Sequence, residues 1–164
     1  MTDYIKKFEF KENPKEITYI EESPLELNED FVFFHNKSKV RKDLTPLQHL
    51  FKSYTTNPLL ALGIQDSLLK KELTEKYLIV LFTTSEIIKN ANKIISGYTD
   101  IEINQGCFYL ETTSDYMLLI TKDLDGLHLG TNVMEEILTQ VLEDYFNKKN
   151  FDEFIKITQF KITN

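Results

Sequence analysis

Four basic side chains stand close together in a chain that is otherwise acidic. Lys37, Lys39, Arg41 and Lys42 fall within the stretch NKSKVRK, whereas the whole chain has a formal charge of −7. Such a cluster could bind a phosphate, an anionic lipid headgroup or an acidic protein surface. The glycine-rich phosphate loops GxxxxGK and GxGxxG are both absent. We therefore treat these four residues as a candidate anion- or partner-binding site, with a solvated loop as the alternative.

Residues that could bind a metal are few and scattered along the sequence. A DLDG motif at 123–126 begins like a calcium loop, but Met134 occupies the twelfth position, where an EF-hand loop requires Glu. His35, His49 and His128 lie in different segments, without the i, i+4 spacing of a helical metal site. The sequence therefore predicts no metal site and no cofactor, and it predicts a turn at 123–126.

The candidates for catalytic residues are equally sparse. The lone cysteine, Cys107, stands beside Phe108, and we expect it to be a buried strand residue because a free cysteine usually packs as a small apolar side chain. Adjacent acids such as Glu135 and Glu136 are typical of a solvated helix surface rather than of general acid–base chemistry. The residues favour a non-enzymatic protein, while a site assembled in space from distant residues stays open.

Composition limits the class of protein and the class of partner. The chain has 164 residues, 41% of them hydrophobic and 27% charged, which is typical of one soluble globular domain over residues 1–164. The acidic charge argues against nucleic-acid binding, which needs clustered Lys and Arg. No apolar run approaches the twenty or so residues of a membrane-spanning helix, and residues 1–10 lack the apolar core of a secretion signal. We therefore expect a cytoplasmic protein.

The first half of the chain is predicted to contain short strands followed by helices. In 1–36 the alternation of 7–11 and 16–21 predicts a hairpin across Asn13-Pro14, ended by Ser23-Pro24, and FVFFH predicts a third strand. A helical segment at 45–76 begins with Thr45 and Pro46, which suit a capped helix start. Asp66 or Ser67 is expected to open a further helical turn.

The segment 77–147 is predicted to be the core of the domain. YLIVLF at 77–82 has the apolar run of a central strand, and a helix at 87–95 followed by alternation at 98–103 predicts a βαβ unit. A hairpin of 107–111 and 116–122 follows. A wide apolar stripe then predicts a long helix over 131–147 that starts near Asn132. The remainder, 148–164, is predicted to end in an edge strand.

These elements predict an α+β fold, a single mixed sheet of about six to eight strands packed against two or three helices. The strand, strand, helix order of 106–146 is similar to the corresponding part of longin- and roadblock-type adaptor domains. Compact apolar patterning without a catalytic constellation favours an interaction or regulatory module that binds another protein, and self-association is included among the expected partners. The alternative is a small-ligand-binding or catalytic domain whose pocket lies between the sheet and the 131–147 helix.

Overall fold

A computed structural model describes residues 7–11, 16–27, 33–35, 45–47, 50, 66–68, 77–82, 101–147 and 155–163. Residues 45–47 are helical, and α1 (Leu124–Asn147) is the long helix. The strands are β1 (Glu16–Leu27), β2 (Phe33–His35), β3 (Asp66–Leu68), β4 (Tyr77–Phe82), β5 (Phe108–Thr112), β6 (Tyr116–Thr121) and β7 (Ile155–Thr163).

The described strands form one mixed sheet in the order β1-β7-β5-β6-β4-β2-β3. The first four are joined by antiparallel pairing, and β4, β2 and β3 extend the sheet by parallel pairing. Helix α1 packs across β5, β6 and β7. The predicted α+β class with a mixed sheet is confirmed.

The core lies between α1 and one face of the antiparallel strands. Strand β6 is buried at all six positions and β5 at four of its five. Leu110 and Leu119 pair across the two strands and belong to the core cluster, and the Leu119 side chain lies against Gly130 of the helix. Fully burying each such aliphatic side chain contributes about 1.5–3 kcal/mol. The helix supplies the opposite wall through side chains spaced three and four apart, namely Leu127, Met134, Ile137, Leu138, Val141 and Leu142.

Several predicted elements are confirmed. The predicted hairpin is present as β5 and β6, which pair in antiparallel register. Cys107, predicted as a buried strand residue, instead precedes β5 and is half-buried. The run YLIVLF forms β4, and it is central because it pairs with β6 on one side and β2 on the other. The segment FVFFH contributes β2, and Leu47 of the expected helix is fully buried.

The N-terminal strands differ from the prediction in two ways. Residues 7–11 form no strand, because their backbone groups bond to side chains of α1 and β1 instead of to a neighbouring strand. Strand β1 does not end at Ser23-Pro24 but continues to Leu27 across a register shift between Ile20 and Leu25. The bulge tolerates Pro24, which has no N–H to donate to a ladder.

Two predictions in the middle of the chain are also wrong. Asp66–Leu68 forms a short strand paired with β2, not a helical turn. Residues 101–103 are not in a strand, and the parallel neighbours of β4 are β6 and β2. The helix predicted at 87–95 lies outside the described residues.

The start of α1 and the place of β7 are the remaining corrections. The helix begins at Leu124 and not near Asn132, because Asp123 caps it, so the turn predicted at 123–126 is the first turn of the helix. The C-terminal segment is a strand as predicted, but β7 lies between β1 and β5 and is not an edge strand. Within the described part of the chain, no helix has both the length and the apolar composition that a membrane crossing demands.

Candidate functional site

The basic cluster predicted as a binding site, Lys37, Lys39, Arg41 and Lys42, lies outside the described residues. The same holds for His49. His128 is exposed on α1. Among the residues that the structure describes, no three His, Cys, Asp or Glu side chains come together as metal ligands would.

The interface between α1 and the sheet is filled by apolar side chains. Met117, Leu119 and Phe160 are fully buried on the sheet side, as are Met134 and Leu138 on the helix side. Thr112 is the one polar group in the described part of this layer whose buried oxygen has no hydrogen-bond partner. The place proposed for a pocket in the ligand-binding alternative is thus occupied by packed hydrocarbon over most of its length.

Asp123 organises the start of α1. Its carboxylate accepts hydrogen bonds from the backbone N–H groups of Gly126 and Gly106, both at 2.8 Å. These two donors, with Gly126 the larger influence, hold the pKa of the Asp123 carboxyl below its ordinary value. Gly106 has a φ of 75°, a left-handed conformation that suits glycine. Asp123 therefore caps the helix and connects its first turn to Gly106.

A buried carboxylate lies on the sheet face away from α1. Glu111 is 5% exposed, and its Oε1 lies 3.5 Å from Nζ of Lys161 on the adjacent strand β7. The same oxygen accepts a hydrogen bond from the Tyr109 hydroxyl at 3.3 Å. Burial, and then the neighbouring Glu111 charge, raise the pKa of the Tyr109 phenol well above its usual range. The cluster holds Tyr109 as a neutral hydrogen-bond donor.

Tyr109 also lines a cleft at the end of the sheet, where β1 begins and β7 ends. The cleft has a volume of about 320 Å³, close to the lower size of small-molecule sites. Acidic, amide and aromatic groups are among those that line it, from Glu16, Glu102, Ile103, Asn104, Phe108, Tyr109 and Thr163. Glu102 and Asn104 are exposed, so the cleft opens to solvent.

The N-terminal segment, residues 7–11, contacts α1 through backbone groups. The side-chain amide of Gln140 accepts from the Glu9 N–H at 2.9 Å and donates to the Glu9 carbonyl at 2.7 Å. Two residues further on, the N–H of Lys11 donates to the Glu136 carboxylate at 3.3 Å. The Gln140 side chain thus bonds both the N–H and the carbonyl of Glu9, as the backbone of a neighbouring β-strand would.

One side chain of the N-terminal segment enters the core. Phe8 is 7% exposed and packs edge-on against Phe160, with ring centroids 5.7 Å apart. The ring of Tyr19 lies beside it at 6.3 Å, and its hydroxyl accepts from the Phe8 N–H at 3.0 Å. We define the N-terminal groove by the four residues that hold the segment, Tyr19, Glu136, Gln140 and Phe160.

Sequence reasoning missed this groove. The alternation at 7–11 predicts a strand, and the hydrophobic residue at position 8 is the local signal of burial there. Gln140 lies on the polar side of the amphipathic stripe and is 131 residues from its partner Glu9. No local pattern reports a contact over such a separation.

Comparison with known proteins identifies a shared fold but no family. No protein-family model matches the chain, and no curated protein matches it in sequence. Among solved structures, CpGH84D has a TM-score of 0.61 at 12% identity. The GH20 exo-β-N-acetylglucosaminidase of Vibrio harveyi and the GH20 β-N-acetylhexosaminidase of Streptomyces coelicolor A3(2) both have TM-scores of 0.56 at 8% identity.

The coverage of these matches is unequal. This chain is covered over 96%, 93% and 92% of its length, whereas it spans only 24%, 18% and 25% of the three glycoside hydrolases. The likeness therefore concerns one unit of much longer proteins. At these identities it establishes a shared fold and leaves activity open.

Proposed function

We propose that this chain is a non-enzymatic module that docks a protein partner, and that the partner acts on carbohydrate. The observation that carries the proposal is the coverage. A fold that takes up almost the whole of this chain makes up only 18–25% of three glycoside hydrolases, so in each of them it coexists with a larger remainder. A domain within a larger protein contacts the neighbouring domains through its surface.

The packing of the described residues supports the same proposal. The layer between α1 and the sheet is apolar and closed, as in a domain whose interior serves stability. The alternative of a small-ligand-binding or catalytic domain draws its support from a different place, the 320 Å³ cleft beside Tyr109. That cleft is small and open, so we rank the docking function first.

Other parts of the proposal extend beyond the described residues. We propose that the whole chain is one domain whose sheet has six to eight strands with two or three helices. We also propose that Lys37, Lys39, Arg41 and Lys42 contact an acidic part of the partner, and that the protein is cytoplasmic. Self-association is a further form that the docking can take.

The test combines an activity assay with reconstitution. The purified chain, incubated with an aryl N-acetyl-β-glucosaminide, is expected to release no more phenol than buffer does. Proteins crosslinked to the chain in extracts of its native host are then identified, purified and mixed with it, and light scattering is expected to give a complex of fixed stoichiometry. Hydrolysis by the chain alone would overturn the non-enzymatic part. A chain that stays monomeric with every purified candidate would overturn the docking part.

A further inference from the structure

We propose that the N-terminal groove is a docking site for an extended peptide with an aromatic anchor, which residues 7–11 occupy in the free chain. The occupant that we infer is a segment of the docked partner that displaces them. This inference rests on the proposed function, because it assigns a surface to the docking. It is argued from how the groove holds the segment that is seated on it.

The bound segment runs antiparallel to α1. Glu9 contacts Gln140 and Lys11 contacts Glu136, so two residues of the segment span four residues of the helix. Four helical residues rise about 6 Å, and two extended residues cover about the same distance at roughly 3.3 Å each. An extended peptide therefore stays in register with one turn of the helix.

The groove recognises backbone and not side-chain chemistry at most positions. The N–H groups of Phe8, Glu9 and Lys11 donate to Tyr19, Gln140 and Glu136 respectively. Lys7, Glu9 and Lys11 are exposed, so their side chains add little to the fit. Main-chain hydrogen bonds that supply affinity, with a pocket that supplies specificity, are the usual arrangement for binding an extended peptide.

Specificity comes from the position of Phe8. Its ring fills the space between Tyr19 and Phe160, and it is the one fully enclosed side chain of the five. An aromatic ring meets both neighbours at edge or tilted angles that favour such pairs. The partner segment is thus expected to carry Phe, or a ring of similar size, at this position and an apolar residue in place of Phe10, which packs against the core. It is expected to tolerate variation at the exposed positions of Lys7, Glu9 and Lys11.

Residues 7–11 are attached in a way that lets another segment displace them. The hydrogen bonds at Glu9 and Lys11 are exposed to solvent, where water competes for both partners. The more buried attachments are the Phe8 ring, its N–H bond to Tyr19 and the partly buried Phe10. A segment whose other hydrogen bonds are all exposed belongs to the less stable part of a fold, the part from which binding surfaces are drawn. A partner segment with the same anchor can therefore replace it.

A peptide-binding experiment on the full chain tests the inference. The variant Phe8→Ala empties the anchor position, and a fluorescent, end-blocked peptide of sequence KFEFK is titrated while its anisotropy is measured. We expect it to bind Phe8→Ala at least about tenfold more tightly than the wild-type chain, whose own segment competes. The peptide KAEFK is expected to bind about tenfold more weakly than KFEFK. Equal binding of the two peptides, or no binding to a folded Phe8→Ala chain, would overturn the inference.

Variants of the groove provide the controls. In the Phe8→Ala background, Gln140→Ala removes both bonds to Glu9 and is expected to weaken KFEFK binding, whereas Asn132→Ala, exposed on the same helix, is expected to leave it unchanged. If circular dichroism shows that Phe8→Ala is unfolded, Glu9→Pro loosens the segment by removing the Glu9 N–H while keeping the ring. If both variants are unfolded, the segment is an integral part of the core and the inference is wrong.

The outcome is separable from that of the proposed function. A purified partner whose binding is unchanged by Gln140→Ala would contradict the groove as the docking site and would leave the docking function standing. Peptide binding to the groove in a chain that engages no protein partner would support the groove as a peptide-binding site and would contradict the docking function.

Discussion

At the scale of single residues, the clearest local device is the cap at Asp123. Its two backbone donors come from the first turn of α1 and from Gly106, which precedes β5. One carboxylate therefore fixes the helix start and ties it to the strand on which the helix packs. Because the side chain is acidic, it also complements the positive end of the helix.

Replacing Asp123 by Ala is expected to lower the Tm at pH 7 by roughly 2–4 °C, since a lost cap leaves the N–H of Gly126 without its acceptor. The folded-state pKa is depressed, so this charge contributes stability above the unfolded-state pKa and loses it as the pH falls through the folded value. The Tm difference from wild type should therefore shrink in acid.

The matched variant is Asp123→Asn, which still accepts a hydrogen bond but has no charge to lose. Thermal unfolding by circular dichroism at pH 7 and pH 3 compares the three proteins. A Tm deficit in Asp123→Ala that is as large at pH 3 as at pH 7 would contradict the electrostatic part of the account.

At the scale of elements, α1 lies close to the sheet because it has glycine at two positions one turn apart. A Cβ atom at Gly126 would fall onto the backbone carbonyl oxygen of Cys107, well inside van der Waals contact. A Cβ at Gly130 would meet the side chain of Leu119, with Cδ1 at 2.6 Å and Cδ2 at 3.0 Å. The first obstacle is backbone, and the second is the movable end of a side chain.

The variant Gly126→Ala is therefore expected to cost about 3 kcal/mol of unfolding free energy or more, since helix and strand must separate. Gly130→Ala is expected to cost about 1 kcal/mol, because Leu119 can rotate and alanine favours a helix. Urea unfolding of both variants gives the comparison. A larger loss for Gly130→Ala would mean that the helix packs differently at its first turn.

The same scale explains the misplaced elements. The bulge that carries β1 past Pro24 is held by Gln159 of β7, whose side-chain amide donates to the Ser23 carbonyl at 2.6 Å. That donor is 136 residues away in the chain. A proline in isolation predicts the end of a strand, and only its tertiary neighbour shows that the strand resumes.

At the scale of the whole molecule, the two ends of the described chain meet. Strand β1 pairs with β7 along most of its length, and β7 is itself paired with β5 on the other side. Phe160, fully buried in β7, contacts Phe8 of the N-terminal segment and pairs in register with Tyr19 of β1 and Thr112 of β5. One ring thus connects three distant parts of the sequence.

Phe160→Ala is expected to lower the unfolding free energy by about 3–5 kcal/mol, the cost of a large cavity in a closed core. The control is Leu124→Ala, which removes a side chain 47% exposed and is expected to change stability by about 0.5 kcal/mol or less. Chemical unfolding measures the unfolding free energy of the two variants. Similar small losses in both would show that β7 is not central to the fold.

The sequence alone predicts those strands and helices that short-range periodicity encodes. Two apolar runs separated by a polar turn identified β5 and β6, an unbroken apolar run identified β4, and a stripe at helical spacing identified most of α1. The α+β class follows from these elements. Each pattern is written in residues that are neighbours in the chain, so it can be read without knowing what they pack against.

Tertiary structure alone decided the rest. The interior position of β7 and the course of residues 7–11 depend on partners far away in the chain. The same holds for the N-terminal groove, whose residues come from β1, α1 and β7. Such contacts satisfy backbone groups and fill space only after the elements have met, so no local spacing records them.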